Sequence, residues 1–300
     1  MQSLLPAALW RAGLVASKAL GQRPLVPWAV VWTELTGRWD YQFDVPSFDL
    51  LEEDKAEELV LLQAGRERYW VPMYADRWGL GSMYKAVFNP RGHHYYEFKG
   101  CTIRPGDVVV DGGACEGFFT RFALGRGANV IAVEPWSKMY EALRRTYERE
   151  ISEGKLQLVR ALLSDKVGMS RLSFDPTWPY GALQNTPDDS VGQSEPVEEL
   201  TVSELVERSP WRKCDFIKMD IEGAEPRAIV GSEAIIRRDH PNLAIAVYHR
   251  ASDYQGVLQP LLNMRLGYQH ATKGMIRLPD EPVWRPRILH AWDPNRPTAS

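Results

Sequence analysis

The chain has 300 residues, of which 44% are hydrophobic and 25% are charged. These proportions are ordinary for a globular protein, and the length allows one large α/β domain or two small ones. A formal net charge of −3 argues against a nucleic-acid partner, which usually requires a basic surface. The three cysteines, Cys101, Cys115 and Cys214, are widely spaced and form no metal-ligand pair, so we expect a reducing, cytoplasmic location.

The N-terminal residues 4–20 are fairly apolar, but Pro6, Arg11 and Lys18 interrupt them. No apolar run reaches the roughly 18 residues that a membrane-spanning helix needs, so no transmembrane segment is expected. The spacing predicts an amphipathic helix that packs on the protein body, with attachment to a membrane surface as the alternative.

The next segments are less regular. Residues 44–58 are acidic and predict a loop leading into a short helix, whereas residues 69–99 are rich in aromatic residues and glycine. The latter predict irregular structure with short strands that could cover a binding site. We therefore expect a helical and irregular extension over residues 1–95, an α/β domain over 96–293 and a flexible tail over 294–300.

Within the α/β domain, strands and helices alternate. Strands are predicted at residues 108–110, 130–133, 156–163, 168–174, 216–219 and 243–247 and near Tyr268 and Ile288. Helices are predicted at residues 117–124, 139–151, 200–206 and 226–237, with a loop over 176–196. This alternation predicts a mostly parallel sheet with helices on both faces. Ligands of such sheets bind beyond the carboxyl ends of the strands.

A glycine loop, Asp-Gly-Gly-Ala-Cys-Glu-Gly at residues 111–117, follows the first of these strands. Gly113 and Gly117 would allow a tight turn and the close approach of a ligand. The Asp-x-Gly-x-x-x-Gly spacing differs from the Gly-x-Gly-x-x-Gly of dinucleotide enzymes, and the carboxylates Asp111 and Glu116 would oppose a phosphate. Asp111 could instead accept a hydrogen bond from the ammonium of a methionine moiety, directly or through water.

Glu134 ends the second strand, about 20 residues beyond the loop, where a carboxylate can accept hydrogen bonds from both ribose hydroxyls. Alternatively, Glu134 caps the next helix, because Pro135 is well suited to a first helical turn. Together, the loop, the strand and the acid predict an adenosine-containing cofactor.

Four segments resemble the FkbM-type methyltransferase family: residues 103–114, 132–135, 161–165 and 216–225. The last, Phe-Ile-Lys-Met-Asp-Ile-Glu-Gly-Ala-Glu, is the most specific and is similar to the family's Ile-Lys-Ile-Asp-Val-Glu-Gly-Ala-Glu signature. The chain departs from the family in the glycine loop, where Cys115-Glu116 replaces Asn followed by an apolar residue.

The resemblance implies a Rossmann-like class I methyltransferase fold with a mostly parallel seven-stranded sheet, and S-adenosylmethionine as cofactor. The expected cofactor contacts are Asp111, Gly113, Ala114, Gly117, Glu134, Leu162 and Asp220. It also implies O-methylation of a hydroxyl on a sugar or secondary metabolite, so a small molecule is the expected partner, with self-association left open. The alternatives are an NAD-dependent oxidoreductase, which the glycine spacing disfavours, and a non-catalytic adenosine-binding module.

The expected catalytic residues lie at the ends of the fourth and fifth strands. The Asp220 carboxylate could hold the methionine amine, orient a substrate hydroxyl or ligate a metal. Methyl transfer to a hydroxyl requires loss of its proton, and histidine is the usual base at neutral pH. His249 is therefore the candidate general base, although it could be a hydrogen-bonded strand-end residue. Mg²⁺ held by Asp220 and another acid is not favoured, because no dedicated metal motif is present.

Neighbouring polar residues have simpler interpretations. Lys218 is expected to pair with one of the acids that follow it, and Glu222 and Glu225 could be favourable first-turn acids of the next helix. His93-His94 could reach over the site, but a solvated loop pair is the expected arrangement.

Overall fold

The structure is a computed structural model that describes residues 15, 16, 19, 31, 32, 35, 43–174, 193–277 and 284–296. Residues 15, 16 and 19 are helical, and the rest of the predicted N-terminal helix lies outside the described residues. Val31 is buried with Met275 and Trp284, so part of the N-terminal region packs on the protein body. Among the helices in these ranges, none is long and apolar enough to cross a membrane.

After three strands in the N-terminal part, helices and strands alternate along much of the described chain. The strands are β1 (Phe48–Asp54), β2 (Leu59–Ala64), β3 (Glu67–Pro72), β4 (Val108–Gly112), β5 (Asn129–Val133), β6 (Leu156–Val159), β7 (Ala161–Leu163), β8 (Gly168–Phe174), β9 (Gln193–Leu200), β10 (Phe216–Met219), β11 (Asn242–Ala246), β12 (Gln269–Arg277) and β13 (Trp284–Trp292). The helices are α1 (Arg77–Phe88), α2 (Phe118–Gly125), α3 (Ser137–Thr146), α4 (Glu148–Ser152), α5 (Val202–Arg208), α6 (Glu225–Gly231), α7 (Glu233–Asp239) and α8 (Asp253–Asn263).

The central sheet has seven strands in the order β12-β13-β11-β10-β4-β5-β6. The five strands from β11 to β6 are parallel, and β13 joins β11 and β12 through antiparallel pairing. This confirms the predicted Rossmann-like class I methyltransferase fold with a mostly parallel seven-stranded sheet. Two smaller sheets flank it, with the orders β1-β2-β3 and β7-β9-β8.

Both faces of the central sheet are covered, because alternate residues of each strand point to opposite sides. Val109 packs in a core with helices α2 and α3, while Val108 and Val110 pack in a second core with α5 to α8. Burial on both faces explains why these strands are continuous runs of apolar residues. The first core also includes Phe48 of β1, whose ring centroid lies 6.0 Å from that of Phe118.

Two predictions for the N-terminal half are wrong. Residues 44–58, expected to be a loop and a short helix, contain strand β1, because β2 supplies partners for its backbone groups. Residues 69–99, expected to be irregular with short strands, contain the end of strand β3 as well as the 12-residue helix α1. Asp76 caps this helix by accepting a hydrogen bond from the Gly79 N–H at 2.7 Å. Aspartate is a preferred residue at the start of a helix, so Asp76 was the sequence feature that could have predicted α1.

The third predicted strand, residues 156–163, divides at Arg160. β6 pairs with β5 in the central sheet, whereas β7 pairs with β9 in a flanking sheet. Strand β9 also occupies the end of the predicted loop over residues 176–196, so that prediction is wrong for its last four residues. Residues 176–192 lie outside the described part of the chain.

The helices predicted over residues 139–151 and 226–237 are each two shorter helices. The first break lies at Tyr147, whose hydroxyl donates a hydrogen bond to the Gly117 carbonyl at 2.5 Å. The second lies at Ser232, whose side chain bonds to the preceding turn. The other elements predicted after residue 100 agree with the structure to within two residues at either end.

Candidate functional site

A cavity of about 270 Å³ lies at the carboxyl ends of the central parallel strands. Its walls include residues 113–116 after β4, residues 134–136 after β5 and residues 220–224 after β10. Met83, Ala86 and Val87 of helix α1 also line it. The position agrees with the general rule for ligand sites in parallel sheets.

The predicted site residues divide into two groups in the structure. Gly113, Ala114, Glu134, Leu162 and Asp220 line the cavity. Asp111, Gly117 and His249 do not belong to its lining.

The glycine loop needs glycine because its backbone is left-handed at several positions. Gly113 has φ of 73° and Gly117 has φ of 83°. A Cβ atom on Gly113 would lie 2.1 Å from the Asp220 carbonyl oxygen, so the loops after β4 and β10 touch there. A Cβ atom on Gly117 would lie 2.7 Å from the Tyr147 ring, so Gly117 serves packing behind the cavity.

Asp111 is fully buried, and both of its carboxylate oxygens are engaged within the protein. Oδ2 accepts a hydrogen bond from the Thr120 hydroxyl at 2.7 Å, and Oδ1 accepts one from Lys218 Nζ at 2.9 Å. Because Asp111 is also fully buried and outside the cavity lining, direct binding of a ligand ammonium by Asp111 does not follow from the structure. Lys218 also pairs with this residue, and not with one of the acids after β10 as predicted.

Glu134 lies in the cavity wall and holds two loops in place. Its Oε2 accepts a hydrogen bond from the Cys115 N–H and its Oε1 accepts one from the Trp136 N–H, both at 3.0 Å. Burial raises the pKa of Glu134 to about 7 even though these hydrogen bonds favour the carboxylate. A carboxylate has about four acceptor positions, so two remain for ligand hydroxyls. Glu134 can therefore hold the backbone at the start of the next helix and also bind a ligand, so the two roles expected from the sequence are compatible.

Asp220 accepts hydrogen bonds from side chains of two distant chain segments. Tyr96 donates to Oδ2 at 2.8 Å and His94 Nε2 lies 3.1 Å from the same oxygen. His249 Nε2 lies 2.9 Å from Oδ1, and the Tyr248 hydroxyl donates to Oδ1 at 3.5 Å. Burial alone would raise the pKa of Asp220, but the hydrogen bonds from His249 and His94 hold it well below its ordinary value. Asp220 is thus an ionised acceptor in the cavity wall.

His249 is surrounded by carboxylates. Its ring nitrogens lie 2.9 Å from Asp220, 3.2 Å from Glu222 and 3.5 Å from Glu225. Burial opposes the charged ring, but the hydrogen bonds to Asp220 and Glu222 raise the pKa of His249 to about 11. An imidazolium has no lone pair to accept a proton, so this geometry argues against the predicted role as general base.

The segment around His94 differs from its predicted arrangement as a solvated loop pair. His94 is buried, and burial lowers its pKa despite the hydrogen bond to Asp220. Tyr96 lines the cavity and shares Asp220 with it. The closely spaced histidine and tyrosine residues before the sheet were the only sequence signal for this contribution.

One group in the described ranges, Asp220, Glu225 and His249, has potential metal-ligand atoms within 4.8 Å of one another. His249 Nε2 lies 2.9 Å from Asp220 and 3.5 Å from Glu225, so these atoms pair with one another. Mg²⁺ prefers oxygen ligands, and one of the three donors is a histidine nitrogen. The group therefore offers Mg²⁺ two of the ligands that it prefers.

Comparison with known proteins places the chain in a family. A family model described as the methyltransferase FkbM domain matches residues 111–270, which is more than half of the chain. The 31-O-demethyl-FK506 methyltransferase FkbM of Streptomyces tacrolimicus is 35% identical over 96 residues, covering 31% of this chain and 35% of that protein. The chain thus spans about a third of the length of this curated relative.

Two solved structures show a distant likeness in fold. The methyltransferase FkbM from Methylobacillus flagellatus KT has a TM-score of 0.48 and 19% identity, covering 70% of this chain and 48% of that chain. Magnesium protoporphyrin IX methyltransferase (ChlM) from Synechocystis PCC 6803 has a TM-score of 0.36 and 16% identity, covering 63% and 70% respectively. Because the family model matches more than half of its residues, the chain belongs to the FkbM methyltransferase domain family.

Proposed function

We propose that this protein is an S-adenosylmethionine-dependent methyltransferase acting on a hydroxyl of a sugar or secondary metabolite. The observation that carries this proposal is the cavity at the strand ends, in whose wall the acids outnumber the cations. The acids are Glu116, Glu134, Glu199, Asp220 and Glu222, and the cations are Lys218, Arg227 and Arg250. Such a lining suits a cationic, hydroxyl-bearing cofactor and opposes the phosphates of NAD. Membership of a methyltransferase family supports the same conclusion.

The residues in the cavity wall fit this cofactor. Glu134 would accept hydrogen bonds from the ribose hydroxyls, since two of its acceptor positions are free. Gly113 lets the glycine loop contact the Asp220 backbone, because a Cβ atom there would lie 2.1 Å from the Asp220 carbonyl oxygen. Ala114 and Leu162 would supply apolar contacts from the same wall. When bound, S-adenosylmethionine supplies a methyl group made electrophilic by the sulfonium.

Asp220 would orient the acceptor. Its ionised carboxylate lines the cavity and can accept a hydrogen bond from the acceptor hydroxyl. Tyr96 holds the carboxylate in position, and the His249 cation keeps it charged. The name of the Streptomyces relative refers to a 31-O-demethyl compound, which supports a hydroxyl as the acceptor.

The N-terminal extension would complete the site. Helix α1 lies within the proposed extension, residues 1–95, and contributes Met83, Ala86 and Val87 to the cavity wall. The methyltransferase domain would then span residues 96–293, followed by a tail over residues 294–300. In this arrangement the extension excludes water from the reacting groups.

Calorimetric titration with S-adenosylhomocysteine and with NAD tests the proposed function. We expect S-adenosylhomocysteine to bind in the micromolar range and NAD to bind hardly at all, because NAD brings phosphates against buried carboxylates. Tighter binding of NAD would contradict the proposal.

A further inference from the structure

Arg250 is a cation of the cavity wall that the proposed function does not use. The wall also contains the cations Lys218 and Arg227, but both are engaged within the protein. Lys218 Nζ lies 2.9 Å from Asp111, and the Arg227 guanidinium lies 2.7 Å from Asp165. Arg250 is therefore the cation of this wall that is available to a ligand.

Among the residues that the structure describes, none forms an ion pair or a side-chain hydrogen bond with the Arg250 guanidinium. The acids of the adjoining loops are used elsewhere: Glu222 lies 3.2 Å from His249 Nδ1, and Asp253 accepts the Arg250 backbone N–H at 2.6 Å. The Arg250 side chain is exposed, so a ligand can reach it. A guanidinium carries five N–H donors and is always charged, so the ligand that complements it is an oxyanion.

The loops around Arg250 fix its position beside the cavity. Its guanidinium lies against Gly223, where a Cβ atom would be 2.9 Å from Nε, and the φ of 92° at Gly223 also favours glycine. The Arg250 carbonyl accepts a hydrogen bond from the Asp253 N–H at 3.1 Å. Arg285 donates to the Tyr248 carbonyl at 3.0 Å and so holds the preceding residues. The backbone of Arg250 is thus held before any ligand binds.

The strand order indicates which ligand Arg250 faces. The cavity wall is formed after β5, β4, β10 and β11, which are successive neighbours in the central sheet. Glu134 follows β5, Asp220 follows β10 and Arg250 follows β11, so the ends of the first and last of these strands are about 14 Å apart. Glu134 would bind the ribose and Asp220 the acceptor hydroxyl. Arg250 therefore lies on the side of Asp220 that is away from the ribose, where the rest of the acceptor would be.

We propose that Arg250 binds an oxyanion of the methyl acceptor, a carboxylate or a phosphate, so that the acceptor is an acidic sugar or an acidic secondary metabolite. This inference rests on the proposed function. A guanidinium can bind either group through two parallel hydrogen bonds, which fixes the orientation of the ligand as well as its position. The acceptor would then lie with its anionic group at the end of β11 and its hydroxyl at Asp220.

An NMR titration with inorganic phosphate tests this assignment. The wild type and Arg250→Gln are saturated with S-adenosylhomocysteine and titrated at constant ionic strength, with the backbone amide of Gly223 as the reporter. We expect the wild type to bind phosphate saturably in the millimolar range and Arg250→Gln to bind it about tenfold or more weakly, because a charge-assisted hydrogen bond is lost. No saturable binding by the wild type, or equal binding by both proteins, would overturn the proposal.

Arg227→Gln is the matched control. It removes the same charge from the same wall, but the Arg227 guanidinium is already paired with Asp165 and Glu199. Its phosphate affinity should stay within about twofold of the wild type, because a partnered cation offers little to a further anion. Equal losses in the two variants would assign phosphate binding to the charge of the whole wall and overturn the role of Arg250.

The cofactor also carries a carboxylate, and the affinity for S-adenosylhomocysteine separates the two sources of the anion. Arg250→Gln should change this affinity by less than about threefold, and phosphate should not displace the ligand. A loss of about tenfold, or competition between phosphate and S-adenosylhomocysteine, would assign Arg250 to the cofactor and overturn the proposal. A wild type that does not bind S-adenosylhomocysteine would refute the proposed function as well, whereas normal binding of it without binding of phosphate removes this inference alone.

Discussion

Lys218 and Asp111 form a buried ion pair, with 2.9 Å between Nζ and Oδ1, across two neighbouring strands. The two residues are direct partners in the register of β10 and β4, next to the loops that line the cavity. The pair therefore holds together the two strands from which the glycine loop and the Asp220 loop begin.

We expect Lys218→Met to lower the free energy of unfolding by about 3–5 kcal/mol, because it leaves the Asp111 carboxylate buried without its cation. Urea denaturation would measure the change. The double variant Lys218→Met/Asp111→Leu removes both charges and should recover much of the loss. A change of less than about 1 kcal/mol in the single variant would contradict a buried, uncompensated charge.

Gly113→Ala should lower the melting temperature and abolish binding of S-adenosylhomocysteine. The new Cβ atom would lie 2.1 Å from the Asp220 carbonyl oxygen, and the φ of 73° disfavours alanine. Gly125→Ala is the control, since that Cβ atom would meet nothing within 4 Å and α2 extends to this residue. Thermal denaturation and calorimetry of both variants check the prediction, and equal behaviour of the two would refute it.

Glu134→Gln should weaken S-adenosylhomocysteine at least tenfold, because it removes charge-assisted hydrogen bonds to the ribose, each worth about 1.5–3 kcal/mol. The pKa of about 7 adds a pH dependence. In the wild type, affinity should fall as the pH decreases through 7, because the carboxylate becomes protonated. The variant should show a flatter profile, and titrations at several pH values compare the two.

The same raised pKa has the opposite effect on stability. Folding favours the protonated form of Glu134, so its contribution to stability is complete below the ordinary pKa of 4.5 and is lost as the pH rises through about 7. Denaturation of the unliganded protein at pH 5 and pH 8 should therefore show a smaller difference in Glu134→Gln than in the wild type.

His249 should remain protonated at pH 8, because its pKa is raised to about 11 by hydrogen bonds to Asp220 and Glu222 that outweigh its burial. Nitrogen-15 NMR of the histidine side chains measures this directly. His94, whose pKa is lowered by burial, is the internal comparison and should be neutral at pH 7. A His249 ring that titrates near 6.5 would restore its candidacy as general base.

The raised pKa of His249 also stabilises the fold. This contribution is complete below the ordinary pKa of 6.5 and is lost as the pH rises through about 11. His249→Gln should therefore reduce the free energy of unfolding at pH 7, with little change in affinity for S-adenosylhomocysteine. Chemical denaturation and calorimetry at that pH check both parts.

Neither Mg²⁺ nor EDTA should change the affinity for S-adenosylhomocysteine or the melting temperature. The candidate ligand atoms of Asp220, Glu225 and His249 are paired with one another and include a histidine nitrogen, whereas Mg²⁺ prefers oxygen ligands. A thermal shift series with Mg²⁺, with EDTA and with neither measures this. Stabilisation that saturates with added Mg²⁺ would contradict it.

Much of the fold could be predicted from local patterns in the sequence. The run of valines in β4 and the apolar residues of β10 indicate strands that are buried on both faces. Such strands can be recognised in a sequence because their apolar residues follow one another without alternating with polar ones. Gly113 of the glycine loop and Glu134 after β5, both identified from the sequence, lie in the cavity wall, whereas Asp111 and Gly117 do not. Helix α1 and strand β1 were missed, since one is indicated by a single cap and the other is an acidic segment that becomes a strand only by pairing with β2.

The chemistry of the site depended on the tertiary structure. His94 and Tyr96 lie far from Asp220 along the chain, and only the fold brings their donors to its carboxylate. The sequence by itself determined that Asp111 and His249 stand at strand ends. The fold decided that Asp111 pairs with Lys218 and that three carboxylates surround His249. Protonation and pairing depend on burial and on distances between charges, and neither quantity is contained in the spacing of residues along a chain.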